Sequence, residues 1–296
     1  MAQQLLNAVI LGSILLLFSY GLSLAWGTLD VMNLAHGSLF VVGGYIGFVL
    51  GTKTSLPFVA VLVAAVIAGG LVASVMELVA FGQIRMRIRN KRQAELSTLV
   101  ASLGAGMIVN QYVSNKTGNG VFAPGGRVFD VRPYEFAGVR ITNIEILILV
   151  LTLLVGVGLS AWIRKSRQGR AVRAVAYSPD TSALMGVSVT GLGMKTMFLS
   201  GALAGLAGVL LAIRISGQTV ATGESYMLSA FAILVVGGVG SLTGATIAAY
   251  GIALAETMVV AYGPAGYRDG VAYALIFATL LIRPQGLFAR RRSERA

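Results

Sequence analysis

Few residues of this 296-residue chain carry chemistry inside otherwise apolar stretches. The only histidine, His36, stands two residues from Ser38, which invites the thought of a serine hydrolase working within a membrane. Residues two apart on a helix do not face one another, and no second base or nucleophile elbow is visible, so hydrolysis has nothing to build on. With one histidine and no cysteine there is no metal-ligand set and no disulfide. Gly191, Gly193, Lys195 and Thr196 superficially resemble a phosphate loop, but the glycine immediately before the lysine is missing and the stretch opens an apolar helix with no preceding strand. The chain is therefore expected to hold no nucleotide, metal or catalytic group of its own. ATP-driven work would need hydrolysis on another subunit.

The better leads are polar groups within apolar runs, since a charge at the centre of a bilayer costs about 2.5–3.5 kcal/mol unless it faces protein or a wet path. Asp30, Asn33 and His36 lie at the break between the first two runs, and Glu256 lies deep in the run 244–262. A helix-to-helix hydrogen bond and a path-lining role both fit Glu256. His36 fits a hydrogen-bonded strut, because an imidazole beside a helix break can satisfy freed backbone groups. Glu77, near the end of the run 57–81 and close to Arg85 and Arg87, is expected in an ion pair.

The elements that must position these groups follow from composition. Hydrophobic residues make up 56% of the chain and charged ones 11%, against about 25% charged in an ordinary soluble domain. A soluble globular protein is excluded. Apolar runs recur over residues 5–26, 37–51, 57–81, 95–113, 144–163, 192–213, 227–242, 244–262 and 268–282. The expected fold is all-α, one polytopic transmembrane domain over 1–296 with about eight or nine segments. Three runs are short and rich in glycine: Gly43, Gly44 and Gly47 lie in the second, and Gly237, Gly238 and Gly240 end the seventh, which predicts broken or re-entrant helices there. Gly201, Gly205 and Gly208, with Ala202, Ala204 and Ala207, predict a close helix-packing face.

The net charge of +12 would suggest nucleic acid in a soluble protein. Here it gathers in three clusters, Arg85 to Arg92, Arg164 to Arg173 and Arg283 to Arg295, each following an apolar run. That is the mark of cytoplasmic loops in a membrane protein, with no nucleic-acid role. Nothing basic precedes Leu5, so the N-terminus is expected outside and the C-terminus in the cytoplasm, with an odd number of crossings. Residues 114–143, with a short alternating run from Arg127 to Arg132, form the expected extracytoplasmic loop. Residues 164–190 lie inside and predict two short helices. Ser178 caps the second, Pro179 and Asp180 open it, and Gly186 ends it. Its exposed side would carry Ala183, Leu184, Met185 and Val187, an apolar face that asks for a partner.

Several stretches taken together resemble one family. Asn33-Leu34-Ala35-His36-Gly37 and the following Gly43-Gly44-Tyr45, Gly169-Arg170 through Arg173, Ala183 to Val187, Gly237-Gly238-Val239-Gly240, and Arg283-Pro284-Gln285-Gly286 resemble LivH-type permeases of branched-chain amino-acid ABC importers. The chain departs from common members at Gly44, where Ala is frequent, and at Leu34, where Phe is frequent. The resemblance implies a permease in the bacterial inner membrane, working with a second and usually non-identical permease, two cytoplasmic ATPases that bind ATP and Mg, and an external binding protein. It also implies that loop 164–190 couples to the ATPases, through Arg170, Arg173, Ser178, Asp180, Ala183, Leu184, Met185 and Gly186. Asn33, His36, Gly37, Gly43, Gly44, Gly237, Gly238, Gly240 and Glu256 are the expected residues of the translocation pathway and its helix breaks. Urea, amide and aromatic-acid importers use similar permeases and stay open as alternatives. An ion-coupled secondary transporter would explain the broken helices and Glu256 but would leave the apolar inner loop without a partner.

Overall fold

In a bilayer a helix satisfies its own backbone groups, and each of the nine apolar runs folds as one. The computed structural model describes residues 1–296 except 31, 89, 126–128, 137, 284–285 and 289–296. The membrane helices are α1 (Ala2–Leu29), α2 (His36–Lys53) and α3 (Phe58–Met76), the last continuing through a π-helical turn (Glu77–Phe81) into α4 (Gly82–Arg87). They are followed by α5 (Lys91–Thr117) and a hairpin of β1 (Pro133–Phe136) and β2 (Val139–Thr142). Then come α6 (Asn143–Lys165), the short α7 (Arg167–Tyr177) and α8 (Pro179–Leu184), and α9 (Val189–Arg214), α10 (Val220–Gly237), α11 (Leu242–Tyr262) and α12 (Arg268–Ile282). Among the described residues seven helices are long and apolar enough to cross a membrane. Neither α2 nor α12 is among them, and the 15 residues of α12 reach only about 22 Å.

Contacts sort the helix ends into two faces. Gln3 donates to the Arg140 carbonyl at 3.0 Å and the Tyr262 hydroxyl lies 3.1 Å from Met1 Sδ, so the N-terminus, the hairpin and the end of α11 share one face. At the other, Gly27 packs on Gly240 and the Leu287 amide donates to the Val236 carbonyl at 2.9 Å. This second face carries the described residues of the first two basic clusters, including Arg85, Arg164 and Arg170, whereas Arg132 and Arg140 lie with the hairpin on the first. Arg290, Arg291, Arg292 and Arg295 of the third cluster lie outside the described residues.

Helices α1 and α9 are buried almost throughout and form the centre, while α5 and α6 present broad apolar sides outward. Lipid tails are as apolar as leucine, so close packing of small residues rather than water exclusion holds such a centre together. The predicted face of α9 does this: Gly201 lies against Gly69 and Ala73, Gly205 against Ala65, and Gly208 against the Phe40 backbone.

Two expectations need correction. The glycines of the second run do not break it; α2 is continuous from His36 to Lys53. Gly43 is there for close approach, because a Cβ at that position would overlap the carbonyl of Gly205 on α9. The run Arg127 to Arg132 supplies no strand among its described residues, and the hairpin is built from the next residues, Pro133 to Thr142.

The break at the end of the seventh run is present. α10 stops at Gly237, Gly238 has φ 86° and Gly240 has φ 76°, values that glycine alone takes readily, and α11 starts at Leu242.

Candidate functional site

The break between α1 and α2 is the first place where polar groups converge. α1 ends on Asp30 in the left-handed conformation (φ 52°), whose amide returns to the Trp26 carbonyl. The chain then turns back into the protein. Asn33 is fully buried and its Oδ1 accepts from the Ala35 amide at 3.0 Å, while Ser102 of α5 accepts from the Leu34 amide at 3.0 Å. His36 Nε2 lies 3.0 Å from the Phe18 carbonyl and its ring stacks on the Phe18 ring at 4.6 Å. A carbonyl only accepts, so Nε2 carries the proton. Phe18 stands about three turns, roughly 16 Å, from the end of α1, so α2 begins well inside the span rather than at its edge.

A line of contacts runs from there toward the N-terminal face. Phe18 meets Phe40 edge-on at 5.0 Å, and Phe40 stacks on Tyr226 of α10 at 5.4 Å. The Arg268 guanidinium sits 4.9 Å from the Tyr226 ring centre, and its Nε donates to Glu256 Oε2 at 3.0 Å. Ser229 donates to Glu256 Oε1 at 2.7 Å. Glu256 is thus tied to α10 and α12 at once, and Arg268 supplies its counter-charge. Gly37 and Gly44 lie along the same seam, Gly37 against Gly223 and Gly44 against Gln218.

The basic face holds a second set. Glu77, buried at the start of the π-helical turn, pairs with Arg85 as expected. A cavity of about 520 Å³ opens beside it, lined by Thr28, Asp30, Arg85, Thr98, Tyr177 and Asp180 among others. It brings the end of α1 and the loop helices α7 and α8 to one space. Ser178 Oγ accepts from the Thr181 amide at 3.3 Å, Asp180 lies in the first turn, and Gly186 at φ 84° ends the helix by returning its amide to the Ala183 carbonyl. Tyr177, Ala183, Leu184 and Met185 are exposed, Leu184 to 88%. Val187, expected beside them, instead packs against Val172, Val175 and Leu192 and anchors the loop. Arg170 and Arg173 donate back to the carbonyls of Lys165 and Ile163, closing the end of α6, where cations and free carbonyls attract.

The structure therefore brings together Asn33, His36 and Gly37, and joins this group through aromatic rings to Glu256. Gly237, Gly238 and Gly240 lie apart from them at the basic face, where Gly240 meets Gly27 of α1. Sequence reasoning missed Arg268 and Tyr226. Arg268 sits 12 residues from Glu256 across a turn, a spacing with no helical periodicity to advertise it. Also missed was Glu224 of α10, because the apolar run starts only at residue 227 whereas the helix starts at Val220.

Residues 4–280 match the family described as the branched-chain amino acid transport system permease component. Among curated relatives, the high-affinity branched-chain amino acid transport permease LivH of Salmonella typhimurium is 31% identical, over 99% of this chain and 97% of its own length. The permease BraD of Pseudomonas aeruginosa is 30% identical over the same shares. A probable branched-chain amino acid permease LivH of Methanocaldococcus jannaschii is 28% identical over 95% of this chain and 90% of its own. No solved structure matches.

Proposed function

Since this chain belongs to the branched-chain amino acid transport permease family, we propose that it is the membrane subunit of an ATP-driven importer for branched-chain, apolar amino acids. The basic face is cytoplasmic by the positive-inside rule, and the N-terminal face is outside. Two ATPase subunits dock on the cytoplasmic side, a second permease completes the pathway, and an external binding protein delivers the substrate to the outer face. The membrane is the bacterial inner membrane.

The observation that carries this reading is α8 and its flanks: on the basic face Tyr177 at the end of α7, Leu184 of the capped α8 and its C-cap Met185 are exposed, with no cover among the described residues. Exposed apolar side chains beyond the lipid ask for a protein partner. The cavity behind it touches both α8 and the end of α1, so a movement of α8 driven by the ATPases reaches the helix break directly. An ion-coupled mechanism has less to work with. Glu256, the buried carboxylate that would carry a proton, is held by Arg268 and Ser229.

The test is uptake of radiolabelled leucine into proteoliposomes holding the assembled complex. Uptake that requires ATP on the ATPase side and ignores a proton gradient supports the proposal. Uptake that follows the gradient without ATP, or an absence of co-purifying ATPase, rejects it.

A further inference from the structure

Glu224 lies in the second turn of α10 with its side chain exposed. The adjacent Gly223 packs backbone to backbone on Gly37, the neighbour of His36. That contact sets Glu224 inside the span and not in a surface loop. A carboxylate facing hydrocarbon at such depth is strongly disfavoured, so this face of α10 meets water or polar groups.

Its surroundings extend the argument. Asn110 Nδ2 on α5 lies 3.5 Å from Glu224 Oε1, and Asn110 Oδ1 is buried without a hydrogen-bond partner among the described residues. Farther along α5 toward the N-terminal face, Gln111 donates to Asn115 at 2.8 Å and Ser114 to Asn119. A polar lane therefore leads from that face down to Glu224. One turn deeper the lane ends: Met107 is exposed on α5, and Met227 and Leu228 are half-buried on α10. An exposed carboxylate above apolar walls matches a small molecule that carries an ammonium group beside an apolar side chain.

We infer that Glu224, held by the Asn110 amide at 3.5 Å, receives the ammonium group of the transported amino acid, whose side chain settles toward Met107, Met227 and Leu228. This rests on the importer reading above. The contact is made in passing, so it orients the substrate in the lane without trapping it.

The experiment uses the whole complex in proteoliposomes, with radiolabelled leucine as probe and ATP hydrolysis and assembly measured alongside. Glu224→Gln is expected to assemble fully and to keep its basal ATP hydrolysis, while uptake falls about tenfold, the scale of losing one charge-assisted contact. Moving the charge across the 3.5 Å contact, with Asn110→Asp added to Glu224→Gln, is expected to restore a substantial part of the uptake. Uptake by Glu224→Gln within twofold of wild type overturns the inference, as does a double variant no better than the single one. Failure of Glu224→Gln to assemble also overturns it, and assigns Glu224 to a charge pair with the second permease. Wild-type complex that takes up no leucine at all removes the importer reading itself, a result visible before any variant is made.

Discussion

Arg268 donates its Nε to Glu256 Oε2 at 3.0 Å, a charge pair between α12 and α11 in which the carboxylate is almost wholly buried and the guanidinium partly so. The pair ties the first turn of the short α12 to α11, beside the Ser225–Asp269 hydrogen bond to α10 and the partly buried Leu275 and Ile276 that pack on the core. Only Ala272 and Thr279 of that helix are buried.

Removing either partner leaves the other charge without compensation, a loss of about 3–5 kcal/mol for a fully buried pair and less here because Arg268 reaches some solvent. Glu256→Gln and Arg268→Gln are each expected to lower the thermal midpoint of the purified protein. The double variant is expected to lose less than the sum, with a coupling of about 1–3 kcal/mol. Strict additivity in a thermal-shift cycle would show that the two side chains do not stabilise one another.

His36 holds the start of α2 against Phe18 through one donated hydrogen bond and a stacked ring. Gln keeps a donor that can reach a carbonyl, whereas Leu leaves the Phe18 carbonyl dependent on its helix alone. His36→Gln is expected to retain most ATP-driven uptake and His36→Leu to lose most of it. Equal, complete loss in both, with normal assembly, would point to the imidazole itself.

At Gly43 the limit is backbone contact with Gly205, which a neighbour cannot relieve by turning a side chain. Gly43→Val is expected to destabilise the protein by about 1–3 kcal/mol or more, the range for overpacking, and to reduce the amount inserted. Gly104 on α5 meets nothing within 4 Å and serves as control, so Gly104→Val is expected to leave expression nearly unchanged. Similar expression of the two variants would remove the packing explanation.

Leu184 of α8 and its C-cap Met185 are exposed on the basic face. Replacing either by Asp places a charge in the proposed contact with the ATPase, where an unpaired buried charge weakens association by about 3–5 kcal/mol. Each variant is expected to insert normally and to lose its co-purifying ATPase. Retention of full ATP-driven uptake by both would mean that α8 is not the docking element.

Much of this architecture was legible in the sequence, because the signals concerned are local. A bilayer demands helices wherever apolar residues run together, and the nine apolar runs became nine helices, seven of them long and apolar enough to cross. Ser178, Pro179, Asp180 and Gly186 marked α8 because caps act within one turn of the residues that make them. Glycine was harder to interpret, since the same residue serves a turn and a close approach. Gly238 and Gly240 turn the chain, whereas Gly43 lets two continuous helices touch, and only the presence of Gly205 opposite distinguishes the cases. The polar network was decided by the tertiary structure alone. Phe18 and His36, Asn110 and Glu224, and Glu256 and Arg268 come together because helices distant or reversed in sequence pack side by side. Hydropathy measures how each residue meets the membrane as a whole; it contains no term for which polar side chain on another helix will stand opposite.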